Sequence, residues 1–176
     1  MNSLPSAQKP PLPHNPVAAP SEGPPFRPSF LTRVFGTGLF SGYAPFASGT
    51  VGSAVGLAVY WIPGFEQPQW IIPITAAALF FGVIASARME KALGHDPSEV
   101  TIDEVVGMWI SLLLLPKSIT IALCAFVLFR LFDIVKPPPA RIFDRWRGGA
   151  GIMLDDVVAG LYTNLILRAA LAFGLF

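Results

Sequence analysis

Nine charged side chains are gathered in one stretch, Phe129 to Asp156, of a 176-residue chain that is otherwise overwhelmingly apolar. Five are basic (Arg130, Lys136, Arg141, Arg145, Arg147) and four are acidic (Asp133, Asp144, Asp155, Asp156). At a bilayer centre each would cost about 2.5–3.5 kcal/mol on insertion scales, roughly 25 kcal/mol together. The stretch therefore belongs at a membrane surface or in a polar cavity. A second acidic pair, Asp103-Glu104, precedes the apolar run Val105-Val-Gly-Met-Trp-Ile110. Acids at a helix N-terminus can be simple caps that complement the dipole, but two adjacent pairs at the membrane boundary are harder to explain that way. Carboxylates from separate elements are what Mg²⁺ takes, one or two of them, with water and substrate phosphate completing its shell. Asp103, Glu104, Asp155 and Asp156 are accordingly the candidate metal ligands. The basic residues supply the complementary half. An Arg fork binds phosphate oxygens in a bidentate way, and the interleaved acids argue against a purely electrostatic patch for anionic headgroups. The mixture suits a ligand that carries phosphate and resides in a membrane.

Other chemistries find no support. Gly148-Gly149-Ala150-Gly151 lacks the third glycine of a dinucleotide fingerprint and the Gly-Lys-Ser/Thr of a P-loop, so it reads equally as a flexible connection or a phosphate cradle. His95 has no histidine or cysteine partners at metal spacing, and no Ser–His–acid set is legible. The lone Cys124 lies in an apolar run and forms no intrachain disulfide. A net charge of +1 gives no reason to expect a nucleic-acid partner.

The elements that must position these residues are those of a membrane protein. Hydrophobic residues make up 53 % of the chain and charged ones 13 %, about half the charged share of an average soluble domain. Residues 1–28 contain nine prolines and no hydrophobic periodicity, as a disordered tail would. They lack the apolar run of a secretory signal, so no cleavage is expected, and residues 29–176 form the single expected domain. Phe35 to Thr50 is dense in Gly, Ser and Thr, with backbone amides available to an anion. From Val51 a helical pattern runs to Ile62, with Gly52 and Gly56 at a spacing that permits close helix packing. Gln69 to Ala87 is apolar and of spanning length.

Val105 to Phe129 is apolar except at Pro116-Lys117. It is either one long span or a hairpin of two short helices, each of about 17 residues once the polar flanks are included. A single span would place Arg130 to Arg147 on the opposite side from Arg27, Arg33, Arg88 and Lys91, against the positive-inside rule. The hairpin brings both charged blocks to one face and is favoured. Pro137-Pro138-Pro139 splits the basic stretch into two short helices joined by a rigid corner. Val157 to Phe176 is the last apolar helix, opened by Asp155-Asp156, with Arg168 placed to snorkel or to face a partner. The expected fold is an all-α integral membrane bundle of about four to five apolar helices with a polar site at its cytoplasmic face.

Four segments together carry a resemblance. They are Ser48-Gly-Thr-Val-Gly-Ser53; Ile102-Asp-Glu-Val-Val-Gly-Met-Trp-Ile110; Phe129-Arg-Leu-Phe-Asp-Ile-Val-Lys-Pro137; and Phe143-Asp-Arg145 followed by Gly148-Gly-Ala-Gly-Ile-Met-Leu-Asp-Asp-Val-Val-Ala-Gly160. The chain resembles the phosphatidylglycerophosphatase A family of bacterial membrane phosphatases over roughly Phe35 to Leu167. The family commonly has Pro-Gly-Thr where this chain has Ser48-Gly49-Thr50.

The resemblance implies Mg²⁺-dependent hydrolysis of phosphatidylglycerophosphate to phosphatidylglycerol and inorganic phosphate, within glycerophospholipid synthesis at the bacterial inner membrane. With the residue reading it implies Mg²⁺ on Asp103, Glu104, Asp155 and Asp156. Arg130, Lys136, Arg141 and Arg145 would grip the lipid phosphates. Asp133 and Asp144 would orient those cations, or one would act as base or nucleophile. Gly49, Thr50, Gly148, Gly149 and Gly151 would offer backbone amides to the substrate. Two other classes remain: a CDP-alcohol phosphotransferase, whose long signature of spaced aspartates is absent, and a non-enzymatic adaptor holding anionic lipid through Arg141, Arg145 and Arg147.

Overall fold

The computed structural model describes residues 27–175. The expected proline-rich tail lies outside the described residues apart from positions 27 and 28. Every regular element described is helical: α1 Phe30–Gly36, a 3-10 turn at Ser41–Tyr43, α2 Ser48–Tyr60, α3 Pro68–Leu93, α4 Ile102–Leu112, α5 Ile119–Val135, α6 Ala140–Phe143 and α7 Gly149–Ala172. This is the all-α bundle expected, with α2, α3, α4, α5 and α7 as its apolar helices.

The shortest of those five occupies the centre. Nearly every residue of α4 is buried, with α2, α3, α5 and α7 packed around it. Small residues allow that packing. A Cβ on Gly56 of α2 would lie 3.1 Å from the Val105 Cα, and one on Gly160 of α7 would lie 2.6 Å from the Gly107 carbonyl oxygen. The Gly52/Gly56 face predicted for close packing is the face α2 turns to α4. Trp109 secures it by donating from Nε1 to the Gly56 carbonyl at 2.9 Å.

Outward surfaces are apolar. On α5, Ile119, Leu123, Val127 and Leu131 recur every fourth residue and are all exposed, as are Phe80, Phe81 and Ile84 on α3. Helices α3 and α7 are long and apolar enough to cross a membrane.

The break at Pro116-Lys117 separates α4 from α5, so residues 105–129 form two helices and not one span. One expectation needs correction. Helix α5 has the anticipated 17 residues, but α4 has 11, about 16 Å of helix, roughly half the hydrocarbon thickness. It stops four residues before Pro116, whose ring a continued helix would press against the Leu112 carbonyl, and α7 supplies partners for its terminal carbonyls. Asn164 Nδ2 donates to the carbonyls of Ser111 and Leu113 at 3.1 and 2.9 Å, and Arg168 Nη2 donates to that of Leu113 at 3.0 Å. Arg168 is braced in turn by its Nε bond to Asn164 Oδ1 at 2.7 Å. Orphan carbonyls at a helix end in an apolar medium need such partners. The last helix differs too. It starts at Gly149, so Asp155 and Asp156 lie in its second turn, and its first turn holds no acid. They are not caps.

Candidate active site

The N-terminus of α2, the first turn of α4, the end of α5 and the second turn of α7 converge on one cavity of about 200 Å³. Its walls carry six carboxylates (Asp96, Asp103, Glu104, Asp133, Asp155, Asp156) and one ammonium, Lys136, with Ser48 and Gly49 at the edge. The two acidic pairs, 52 positions apart in sequence, thus share one space.

Within the cavity Glu104, Asp133 and Asp156 each offer a carboxylate oxygen, all within 4.8 Å of one another. Arg130 lies behind this trio and does not line the cavity. Its Nη1 pairs with Glu104 and reaches Asp133 Oδ2 at 3.0 Å. Ser53, one turn into α2, has the Gly49 carbonyl at 2.9 Å and Glu104 Oε2 at 3.3 Å as alternative acceptors for its one hydroxyl proton. Gly49 passes so close that a Cβ there would lie 2.1 Å from Glu104 Oε1 and 2.9 Å from Arg130 Nη1. Across the cavity Lys136 Nζ donates to Asp144 and, at 2.7 Å, to Asp155 Oδ2. Lys136 is the left-handed C-cap of α5, which turns its side chain back over the site. Burial opposes its charge, but its hydrogen bonds to the Asp144 and Asp155 carboxylates outweigh that and raise its pKa above the ordinary lysine value.

Electrostatics decide what this cavity can hold. Burial, then the charges of Glu104 and Asp155, push Asp103 well above the ordinary carboxyl range. Burial and the charge of Asp133 raise Glu104 to about 6. Asp156 Oδ2 is buried and has no hydrogen-bond partner among the described residues. Clustered carboxylates with an unsatisfied oxygen fit a divalent cation, which neutralises the cluster and takes hard oxygen ligands.

The structure redistributes several expected residues. Asp103, Glu104, Asp155 and Asp156 all line the cavity, joined by Asp133. Asp144 reaches it through Lys136. Arg141 is exposed and donates to the Val135 carbonyl at 3.3 Å, and Arg145 is exposed; neither lines the cavity. Thr50 shares the first turn of α2 without lining it.

The glycine run is also elsewhere. Gly148 donates its N–H to Glu90 Oε2 at 2.6 Å. A Cβ on Gly149 would lie 1.9 Å from the Val83 carbonyl oxygen, and one on Gly151 would lie 2.3 Å from that of Trp146. These glycines seat α7 against α3 and the preceding turn. Sequence reasoning passed over Asp96, Ser48 and Ser53. The signal for the serines was present, since both stand in the Ser48-Gly-Thr-Val-Gly-Ser53 segment.

The model of the phosphatidylglycerophosphatase A family matches residues 34–171, which include every one of these site residues. The chain belongs to the phosphatidylglycerophosphatase A family. Among its relatives, a Bacteroides thetaiotaomicron protein provisionally named as a phosphatidylinositol-3-phosphatase is 42 % identical over 156 residues, 82 % of this chain and 96 % of the relative. The phosphatidylglycerophosphatase A of Escherichia coli is 36 % identical over 138 residues, covering 77 % and 80 % of the two chains. That of Haemophilus influenzae is 36 % identical over 142 residues, covering 78 % and 86 %. No solved structure matches the chain significantly.

Proposed function

We propose that this chain is a lipid phosphomonoesterase that hydrolyses phosphatidylglycerophosphate to phosphatidylglycerol and inorganic phosphate at the bacterial inner membrane, with Mg²⁺ at the acidic cluster and the site facing the cytoplasm. One observation carries the reading: six carboxylates and a single ammonium line a cavity in a chain of this family. A phosphate dianion cannot approach that much negative charge unless cations neutralise it. The basic residues near the site end of the bundle, Arg88, Lys91 and Arg130 to Arg147, support the cytoplasmic orientation through the positive-inside rule.

Glu104, Asp133 and Asp156 would hold the metal, with Asp103 and Asp155 beside them. When bound, Mg²⁺ supplies charge neutralisation for the phosphoryl group and a water of lowered pKa. The protein's own residues do the positioning. Arg130 fixes Glu104 and Asp133, and is a positioning residue. Lys136 has three donors, of which two are held by Asp144 and Asp155, leaving one for a phosphate oxygen. Asp103, in no salt bridge among the described residues, is placed to accept a proton from attacking water. A covalent aspartyl-phosphate is the other route.

The Bacteroides relative favours a second reading, in which the substrate is an inositol lipid phosphorylated at the 3-position. Purified protein assayed on phosphatidylglycerophosphate, phosphatidylinositol 3-phosphate and phosphatidic acid across a Mg²⁺ titration separates the two. Metal-dependent phosphate release fastest from the first substrate is expected. Preference for the inositol lipid would transfer the assignment, and release from none would end it.

A further inference from the structure

A second cavity, of about 460 Å³, lies where α1 meets the end of α3, lined by Arg27, Arg33, Tyr43, Glu99, Met89 and Leu93. Arg27, Arg33 and Tyr43 share this lining with the apolar Met89 and Leu93, and with Glu99 included the lining charge is net positive. Neither Arg27 nor Arg33 is in a salt bridge among the described residues. The surrounding surface is that of an interfacial anchor. Phe30, Leu31 and Phe46 are 63 %, 77 % and 84 % exposed, and Phe30, Phe40 and Tyr43 form a chain of ring contacts with centroids 6.2 Å apart. Exposed aromatic residues beside arginines sit at the headgroup level of a bilayer.

We propose that this cavity binds the phosphodiester headgroup of an anionic membrane phospholipid, and that occupancy steadies the acidic site. The headgroup phosphate would meet Arg27, Arg33 and Tyr43, and the glycerol and first acyl carbons would lie on Met89 and Leu93. The link to the site is short. Thr101 donates its N–H to the Gly36 carbonyl at 3.0 Å, and its Oγ1 is 2.9 Å from Ser41 Oγ. Gly42 is pressed against Glu99, where a Cβ would lie 1.9 Å from the Glu99 carbonyl oxygen. The segment from α1 to Tyr43 thus braces residues 99–101, which lead directly into Asp103 and Glu104. The binding claim stands on this geometry, and only its effect on rate rests on the phosphatase reading.

The test uses the full chain and an Arg27→Gln/Arg33→Gln double variant. In native mass spectrometry with phosphatidylserine and phosphatidylcholine as probes, the wild type is expected to retain phosphatidylserine preferentially. The variant should lose that preference, about fivefold per arginine, equivalent to about 1 kcal/mol each. In neutral vesicles holding a fixed fraction of substrate lipid, added phosphatidylserine should raise wild-type phosphate release several-fold, and the double variant should show a smaller ratio. Glycerophosphoserine in solution, which lacks acyl chains, should not substitute for it; equal stimulation by that soluble headgroup would overturn a lipid site. Equal phosphatidylserine retention by wild type and variant would overturn the proposal outright. An unchanged stimulation ratio in the variant would reduce the rate effect to bulk surface potential. A wild type that selects phosphatidylserine yet releases no phosphate would sink the phosphatase reading and leave the binding site standing.

Discussion

Asp156 Oδ2 is the most exposed to test of all the atoms at the site, because it is buried beside two other carboxylates and nothing described bonds to it. If that oxygen ligates a cation, Asp156→Asn and Glu104→Gln should each lower phosphate release by at least a thousandfold while leaving the protein in the membrane fraction. Near wild-type turnover by both would remove the metal from the cluster. Gly49→Ala is predicted to be nearly as damaging, at a hundredfold or more, because its methyl group would enter the space held by Glu104 and Arg130. A hundredfold loss is about 3 kcal/mol of transition-state stabilisation and a thousandfold loss about 4 kcal/mol.

The raised carboxyls make a separate prediction about pH. Burial holds Glu104 at about 6 against an ordinary 4.5 in the metal-free protein. A carboxyl raised in the folded state favours folding below its ordinary pKa, and that contribution is lost as pH rises through the folded value. Chelator-treated protein should therefore lose stability as pH rises from acid to neutral. The loss is read as a falling thermal midpoint, and Mg²⁺ should restore it at neutral pH. At this scale the sequence was informative about residue types and poor about partners. The three-residue spacing of Arg130 and Asp133 implied a shared helix face, and the two are 3.0 Å apart. The pairing of Arg130 with Glu104 joins separate helices, and no local pattern announces it.

Among the elements, α4 carries the most consequence for the site. It bears two of the acids in its first turn and ends where Asn164 and Arg168 meet its last carbonyls. The depth of the acids is therefore set from the far end of the helix. Arg168→Leu should destabilise the fold by about 1–3 kcal/mol and raise the Mg²⁺ concentration for half-maximal activity. Arg168→Lys should recover part of the metal response, since a cation near helix-terminal carbonyls is what the position uses. A variant with lowered stability and an unchanged Mg²⁺ response would confine the residue to folding.

The break at Pro116-Lys117 was legible because proline and a charge interrupt an apolar run. The partners that satisfy the end of α4 were not, since Asn164 and Arg168 lie about 50 residues away. The glycines at 148–151 show the same limit, because a bare backbone serves phosphate binding and close helix packing equally well. Only the neighbouring Val83 and Trp146 carbonyls reveal which use applies here.

For the molecule as a whole, most charged side chains among the described residues are collected at the site end, with Glu66, Lys117 and Arg168 toward the other, and the lateral surface is left to apolar side chains. Val127 stands in the middle of the exposed stripe of α5. Val127→Lys is expected to cost about 2.5–3.5 kcal/mol at mid-membrane, seen as less protein recovered in membranes, with the remaining inserted fraction still hydrolysing substrate. Soluble, folded, active Val127→Lys protein would contradict the placement of that face in lipid.

The floor of the acidic cavity has a further consequence. Met108, Phe129, Met153 and Ala159, each about one turn along its helix from Glu104, Asp133 or Asp156, are apolar and fully buried. Phe129 is pressed so closely on α4 that a Cβ at Gly107 would lie 2.5 Å from its ring. Six carboxylates in one cavity would make a ready proton relay if they opened on both sides of a bilayer. Among the described residues the carboxylates are backed by hydrocarbon side chains, the arrangement of a blind well and not of a conduit. A membrane that stores energy as a proton gradient can hold many copies of such a protein without being short-circuited by it.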